Sequence, residues 1–409
     1  MSWRMTILTL SVTLISAGIL SGCIPQTKKS NISPTIDKAR PTLDQKKSTG
    51  FPSPRALDAY FLPAYYPNSY ENIIEASKNE QGLVIYSALN ESTWKPVIET
   101  FTGHYPWINV TVIDLGANEV FDRYIAESLS GERNADLILS YAPDGWLNFA
   151  NSGQIEPYLS EEDFYVPPWT KLAPGIYTIA SDPMVILYNK ERLSNLPHRL
   201  MDIKELIETD PSQLTGKITT YDASQNSTGL AINWFWIDKL GETGWEILNR
   251  VGETDPQLKT SSSSMVSSIL SGESSLGIFI SPISFLSEQA LHPELGWTYI
   301  MDGQPILMRS IAITKQAKSS NSAKLMVDFL LSQEGQIALA LGGLTPFRPD
   351  VANVDIFDFT DEHQSYIHFN QVIEEVGLDN LIFISLDPEI NKPDKRNAFI
   401  EKWNRALGR

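Results

Sequence analysis

Residues 83–151 read LVIYSALNESTWKPVIETFTGHYPWINVTVIDLGANEVFDRYIAESLSGERNADLILSYAPDGWLNFAN, and the periodicity of this stretch decides the fold. Residues 83–88 (LVIYSA) are a short continuous apolar run, the pattern of a strand covered on both faces. Residues 91–102 then place Trp94, Val97, Ile98 and Phe101 on one helical face. The alternation repeats, with strand-like 108–115, helical 119–129, strand-like 135–140 (ADLILS) and helical 144–151. A βαβαβα order predicts a mostly parallel sheet covered by helices. A second block follows 177–188, with strand 217–221, helix 228–240, a short helix at 265–270 and strand 276–280. The expected class is therefore α/β, with two Rossmann-like lobes.

Upstream, Cys23 is the single cysteine of the chain and closes the run Leu20-Ser21-Gly22-Cys23 behind an apolar stretch that begins near Met5. Arg4 supplies the positive flank, and Ser21-Gly22 supply the small residues a signal peptidase needs beside its cut. The pattern predicts a lipoprotein signal peptide over 1–22, after which the Cys23 thiol carries a diacylglycerol (thioether) and its amine a further acyl chain such as palmitate. Several acyl chains anchor a protein durably. The competing reading is an uncleaved N-terminal membrane anchor. On either reading the remainder lies outside the cytoplasmic membrane, on its periplasmic face or at the cell surface.

Charge narrows the partners. Loss of residues 1–22 removes one basic residue, leaving 31 basic against 49 acidic and a net charge of −18. A folded surface of that sign is expected to bind no nucleic acid. Residues 23–55 are rich in Lys, Ser, Thr and Pro without an apolar period, as in a disordered tether. Seven basic residues against Asp37 and Asp44 give the tether +5, so it can lie along anionic headgroups while the acidic body stands away. Tyr60, Phe61, Tyr65, Tyr66 and Tyr70 are expected to pack as the body begins. With one cysteine there is no disulfide, and the core alone holds the fold.

In open α/β sheets a ligand lies beyond the C-terminal ends of the strands, where helix N-termini offer unpaired N–H groups. The first strand ends in Ser87, Ala88 and Asn90, the third in Ser140 and Tyr141. The strand at 217–221 runs into Ser224, Asn226, Ser227 and Thr228, and that at 276–280 into Ser281. These hydroxyls and amides can cap helices or meet a bound oxygen. Arg309, with Asp302 nearby, is the cation of these loops able to hold a carboxylate or phosphate, or else to form an interlobe ion pair. Trp234, Phe235 and Trp236 are read as core, with stacking on a ligand as the alternative.

The succession VIYSALNES, ADLILSY, ILYNKERL, LTGKITTYDASQNSTG, SGESSLGIFIS and GLTPFRPDV, spanning about Leu83 to Val351, resembles the bacterial extracellular solute-binding proteins of ABC importers. It is most similar to the branch of ferric-iron, phosphonate, sugar-phosphate and thiamine binders. The resemblance implies a type II periplasmic-binding fold. Two lobes, 56–181 with 306–409 and 182–305, would be joined by a two-strand hinge crossing near 180–188 and 305–313. The implied partners are a small solute and an ABC permease with its ATPase, and the implied state is a monomer. Iron binders of this branch use a histidine after the first strand and adjacent tyrosines in the second lobe. Here Asn90 and Ser281-Pro282 stand near those places, and neutral donors do not suit ferric iron. The cleft is thus expected to hold a polar or oxyanionic solute, with no metal and no cofactor.

Catalysis is not expected. His104, His198, His292, His363 and His368 have no ligand spacing, and there is neither a G-x-S-x-G nor a P-loop. A sensor feeding a membrane kinase or receptor is the alternative to transport, since both need a tethered clamp. The final helix, about 395–407, carries Phe399, Ile400, Trp403 and Leu407 on one stripe and is expected to buttress a lobe.

Overall fold

The computed structural model describes residues 62–409 apart from 132–133, 194, 287–288, 290 and 358–362. The expected signal peptide, Cys23, the tether, Tyr60 and Phe61 lie outside the described residues. In chain order the elements are α1 Tyr70–Ser77, β1 Leu83–Ser87, α2 Glu91–His104, β2 Val110–Asp114, α3 Glu119–Ser130, β3 Leu137–Ser140 and α4 Pro143–Asn151. Next come β4 Lys171–Ala173, β5 Ile176–Pro183, β6 Val185–Asn189, α5 Leu200–Thr209, β7 Ile218–Tyr221, α6 Ser227–Leu240, α7 Glu242–Gly252, β8 Gln257–Lys259, α8 Ser262–Ser271 and β9 Leu276–Ile280. The chain continues with β10 Leu295–Thr298, β11 Gln304–Ile313, α9 Ser320–Leu331, α10 Gln333–Leu341, β12 Ile356–Phe357, β13 His363–Gln364, α11 Phe369–Val376, β14 Leu381–Ile384 and α12 Pro393–Ala406.

Two main sheets result. The first has the order β2-β1-β3-β11-β5-β4, with β14 paired to β11; the second has the order β10-β6-β9-β7-β8. The expected parallel pairing holds for β1 with β2 and β3, and for β7 with β8 and β9. Elsewhere the sheets are mixed, because β11 runs antiparallel to β3 and β5, and β6 antiparallel to β9 and β10. Those antiparallel strands carry the chain between sheets. It leaves the first sheet at Pro183 and joins the second at Val185; it returns between Thr298 and Gln304. Met184 N donates to Pro305 O at 2.9 Å, tying the two passages together.

Burial explains the apolar runs. Strands β3, β5, β6, β9 and β11 are buried along their whole length, so they lack a polar face. Trp94, Val97 and Phe101 fill the inner face of α2, whose first turn is capped by Asn90 Oδ1 accepting from Thr93 N at 3.0 Å. At the other sheet, α6 abuts the tip of β7. A Cβ on Gly229 would stand 2.7 Å from Tyr221 Cβ, so only glycine lets the helix start that close to the strand end.

The leading segment is locked by carboxylates. Glu162 accepts from Tyr65 Oη (2.7 Å), Tyr66 Oη (2.8 Å) and Arg348 Nη1 (2.5 Å), and Asp328 accepts from Tyr70, Tyr158 and Ser160 at 2.6, 2.6 and 2.5 Å. The C-terminal helix does more than buttress one lobe. Residues 388–391 pack on α4 beside the first sheet, whereas α12 packs on α7 beside the second. Trp403 is fully buried there, and Arg409 Nη2 donates to Pro256 O at 3.1 Å. The apolar stripe of α12 thus finds its cover on α7, beside the second sheet.

Candidate functional site

Where the two sheets meet, Asp182 is the organising residue. It sits in β5, one residue before Pro183, and is 4% exposed. Arg309 of β11 donates from Nη2 to its Oδ2 at 2.5 Å, and Ser281, just past β9 in the second sheet, lies with Oγ 2.7 and 2.9 Å from the two carboxylate oxygens. A charged strand residue in such a place is tolerable because an opposite charge and a hydroxyl replace its water. Ser281 N donates to Ser262 Oγ at 2.9 Å, and that hydroxyl is 2.8 Å from Tyr221 Oη. The Arg309 guanidinium carbon lies 5.1 Å from the centre of the Tyr141 ring. Three strand ends and two connecting strands thus converge on one polar cluster.

Irregular backbone aims these groups. The β11–β5 register shifts between Arg309 and Ser310, and the β6–β9 register shifts between Val185 and Leu187. Phe279 in β9 has a φ of 64°, a left-handed conformation on a buried aromatic residue two positions before Ser281. Strain of that kind, worth about 1–3 kcal/mol, persists where surrounding structure over-determines it and clusters at functional sites. Burial pushes the Tyr221 phenol well above its usual range, with the neighbouring Tyr141 and Asp182 adding to the rise. It stays a neutral donor and acceptor. Arg309 is 5% exposed and its Nε is buried without a partner among the described residues. An unmet donor here is a place for an acceptor oxygen.

Of the residues singled out from sequence, Tyr141, Ser281 and Arg309 come together in this cluster. Ser140 stands in register with Ser310, one residue from Arg309, but its Oγ donates to Ala117 O at 2.6 Å and accepts from Ala142 N at 3.1 Å. Ser87 Oγ accepts from Trp94 Nε1 at 2.7 Å and Leu89 N at 3.0 Å, and Ala88 N donates to Leu139 O at 3.0 Å. Asn90 caps α2. Ser224 donates to Asp222 Oδ1 at 2.6 Å, and Asn226 caps α6 through Gly229 N at 2.8 Å while donating to Thr260 O at 2.9 Å. Ser227 and Thr228 open α6 beside Tyr221. Asp302 lies apart, accepting from Leu200 N and Met201 N at 2.9 Å each and so capping α5. Trp236 packs against Phe279, and Trp234 against Phe399 with Nε1 donating to Asp387 Oδ2 at 3.0 Å.

Asp182, Tyr221 and Ser262 were missed. The signal for Asp182 was present: IYTIASDP is a strand apolar in its first half that must be buried, and an acid inside it demands a partner. Ser262 had no such mark within the run of serines at 261–264.

The model of the bacterial extracellular solute-binding proteins matches residues 87–337, more than half of the chain. The chain belongs to that family. An uncharacterised protein of Haemophilus influenzae is 26% identical over 352 residues, covering 81% of this chain and 92% of the relative. Among solved structures, the substrate-binding protein of an ABC transporter from Agrobacterium tumefaciens superposes with a TM-score of 0.69 at 22% identity, over 82% of this chain and 96% of that one. AfuA of Actinobacillus pleuropneumoniae, solved with fructose-6-phosphate, gives 0.59 at 20% identity over 80% and 98%. Iron-bound HitA of Pseudomonas aeruginosa gives 0.59 at 18% identity over 80% and 99%. At these identities the superpositions establish the fold alone, and that fold is the type II periplasmic-binding fold. Solute-binding proteins of this family are binding components of ABC transporters rather than enzymes, and they act outside the cytoplasmic membrane. Among the described residues no helix is long and apolar enough to cross a membrane.

Proposed function

We propose that this solute-binding protein is held to a membrane by acyl chains on Cys23, captures a small polar or oxyanionic solute between two hinged lobes, and hands it to an ABC permease. The observation that carries the reading is the meeting of Ser281 from the second sheet with Asp182 and Arg309 from the first. The lobes would be 56–181 with 306–409, and 182–305, with α12 reaching across to α7. Polar groups of both lobes would satisfy the solute, Arg309 Nε–H and the Tyr141 ring from one side and Ser281, Tyr221 and the opening of α6 (Ser227, Thr228) from the other. Closure by hinge motion would then present a docking surface to the permease.

The test is a thermal-shift screen of the purified protein against sugars, sugar acids, sugar phosphates, phosphonates, thiamine and polyamines. A trapped ligand stabilises by RT ln(1 + [L]/Kd), so a hit raises the midpoint with concentration. Ser281→Trp is expected to abolish the response. An unchanged response in that variant places the solute elsewhere. Globomycin-sensitive incorporation of labelled palmitate, lost in Cys23→Ser, tests the anchor.

A further inference from the structure

We infer that Asp182 sets the charge of solute the cleft accepts, restricting it to oxygen-bearing solutes with at most one negative charge. The inference rests on the reading that the solute sits at the Arg309 cluster. A guanidinium in a cleft ordinarily selects carboxylate or phosphate by opposite charge. Here that charge is already matched. Asp182 is the acid within ion-pair distance of Arg309 among the described residues, and both side chains are 5% exposed. Ser281 Oγ is also turned to the same carboxylate, so the two strongest donors of the cluster both face Asp182.

What remains for a solute is directional and nearly neutral. Arg309 Nε–H has no partner among the described residues, Tyr141 covers the guanidinium, and the hydrogen-bonded pair Tyr221–Ser262 has one O–H left to donate. A dianion brought here would bury two charges against a pair whose net charge is zero. Desolvation without compensation disfavours it. A sugar hydroxyl, a carbonyl or a single carboxylate needs only the free N–H and the hydroxyls. The body of the protein, acidic overall, adds no attraction for a second negative charge.

Inorganic sulfate, a dianion at all working pH values, is the probe. Calorimetry and thermal shift are run on the full chain at fixed ionic strength, with chloride as the matched salt, for wild type, Asp182→Asn and Asp182→Asn/Arg309→Gln. Wild type is expected to bind sulfate no more tightly than a Kd of about 1 mM, the limit against which the variants are read. Asp182→Asn, which unmasks Arg309, is expected to gain sulfate affinity on the order of a hundredfold, and the double variant to lose that gain. Sulfate-dependent rescue of a poorly folded Asp182→Asn that Asp182→Asn/Arg309→Gln does not share supports the proposal equally, since general salt stabilisation would rescue both. Sulfate binding by wild type with Kd below about 1 mM overturns it, as does a folded Asp182→Asn with no gain. If Asp182→Asn folds in neither salt, the wild-type arm decides by the same threshold. Failure of the underlying reading is seen separately, as an unaltered solute response in Ser281→Trp.

Discussion

Ser281 of the second sheet reaches across to Asp182 of the first, its hydroxyl oxygen 2.7 and 2.9 Å from the two carboxylate oxygens. Both residues are 5% exposed or less. A short hydroxyl contact therefore joins the two sheets at the place where Arg309 already holds Asp182. Loss of this contact in Ser281→Ala leaves Asp182 with one partner. It is expected to destabilise the protein by about 1–2 kcal/mol, measured by urea unfolding, and to shift the lobes towards the open form in small-angle scattering.

Arg309→Gln removes the charge that keeps Asp182 buried, and a loss of about 3–5 kcal/mol is expected. Asp182→Asn/Arg309→Gln should be less destabilised than the two single losses together, since neither charge is then orphaned. A double-mutant cycle with coupling near zero would show that the ion pair is not what holds these side chains in place.

Desolvation raises the Asp328 carboxyl to about 6, against the pull of Ser160, Tyr158 and Tyr70. The folded state then binds a proton more tightly than the unfolded chain, so stability is greatest below pH 4 on this account and falls as pH rises towards 6. The contribution is on the order of 3 kcal/mol. His368 works in the opposite direction. Burial lowers its pKa, and it is held by Arg348 O at 2.9 Å and Asn370 N at 3.0 Å, so it withdraws stability as pH falls below about 6.5. Asp328→Asn should therefore leave a curve that rises with pH between 4 and 6.5. A curve unchanged by the substitution would refute the assignment to Asp328.

Gly229→Ala places a methyl 2.7 Å from Tyr221 Cβ, a contact that backbone and side chain can relieve only by moving the start of α6 away from β7. A loss of about 1–3 kcal/mol is expected, together with weaker solute response, because Tyr221 shares the displaced region. Gly103→Ala, with open space around its added carbon inside α2, is the control and should lose no stability and leave the solute response unchanged.

Bulky substitution separates two serines that look alike in sequence. Ser140 is fully buried with its hydroxyl engaged by Ala117 and Ala142, so Ser140→Phe is expected to unfold the first lobe. Ser227 is half-buried at the first position of α6, and Ser227→Phe is expected to leave thermal stability within about 1 kcal/mol while reducing solute affinity. Retained affinity in that folded variant would remove the opening of α6 from the site.

The alternation of short apolar runs with one-sided helices determined the α/β class, the two sheets and the parallel pairings, because strand and helix periods follow local geometry and which face must leave water. Helix caps such as Asn90 and Asn226 were legible for the same local reason, although reading them as ligand contacts was not separable from capping until their hydrogen bonds were seen. The site itself belonged to tertiary structure. Asp182, Ser281 and Arg309 stand 99 and 28 residues apart along the chain, and their meeting depends on bulges at Arg309 and in the β6–β9 pairing and on the left-handed turn at Phe279. No local period encodes such irregularities, and none encodes the helix–helix packing by which α12 reaches across to α7; both depend on contacts between residues far apart in the chain.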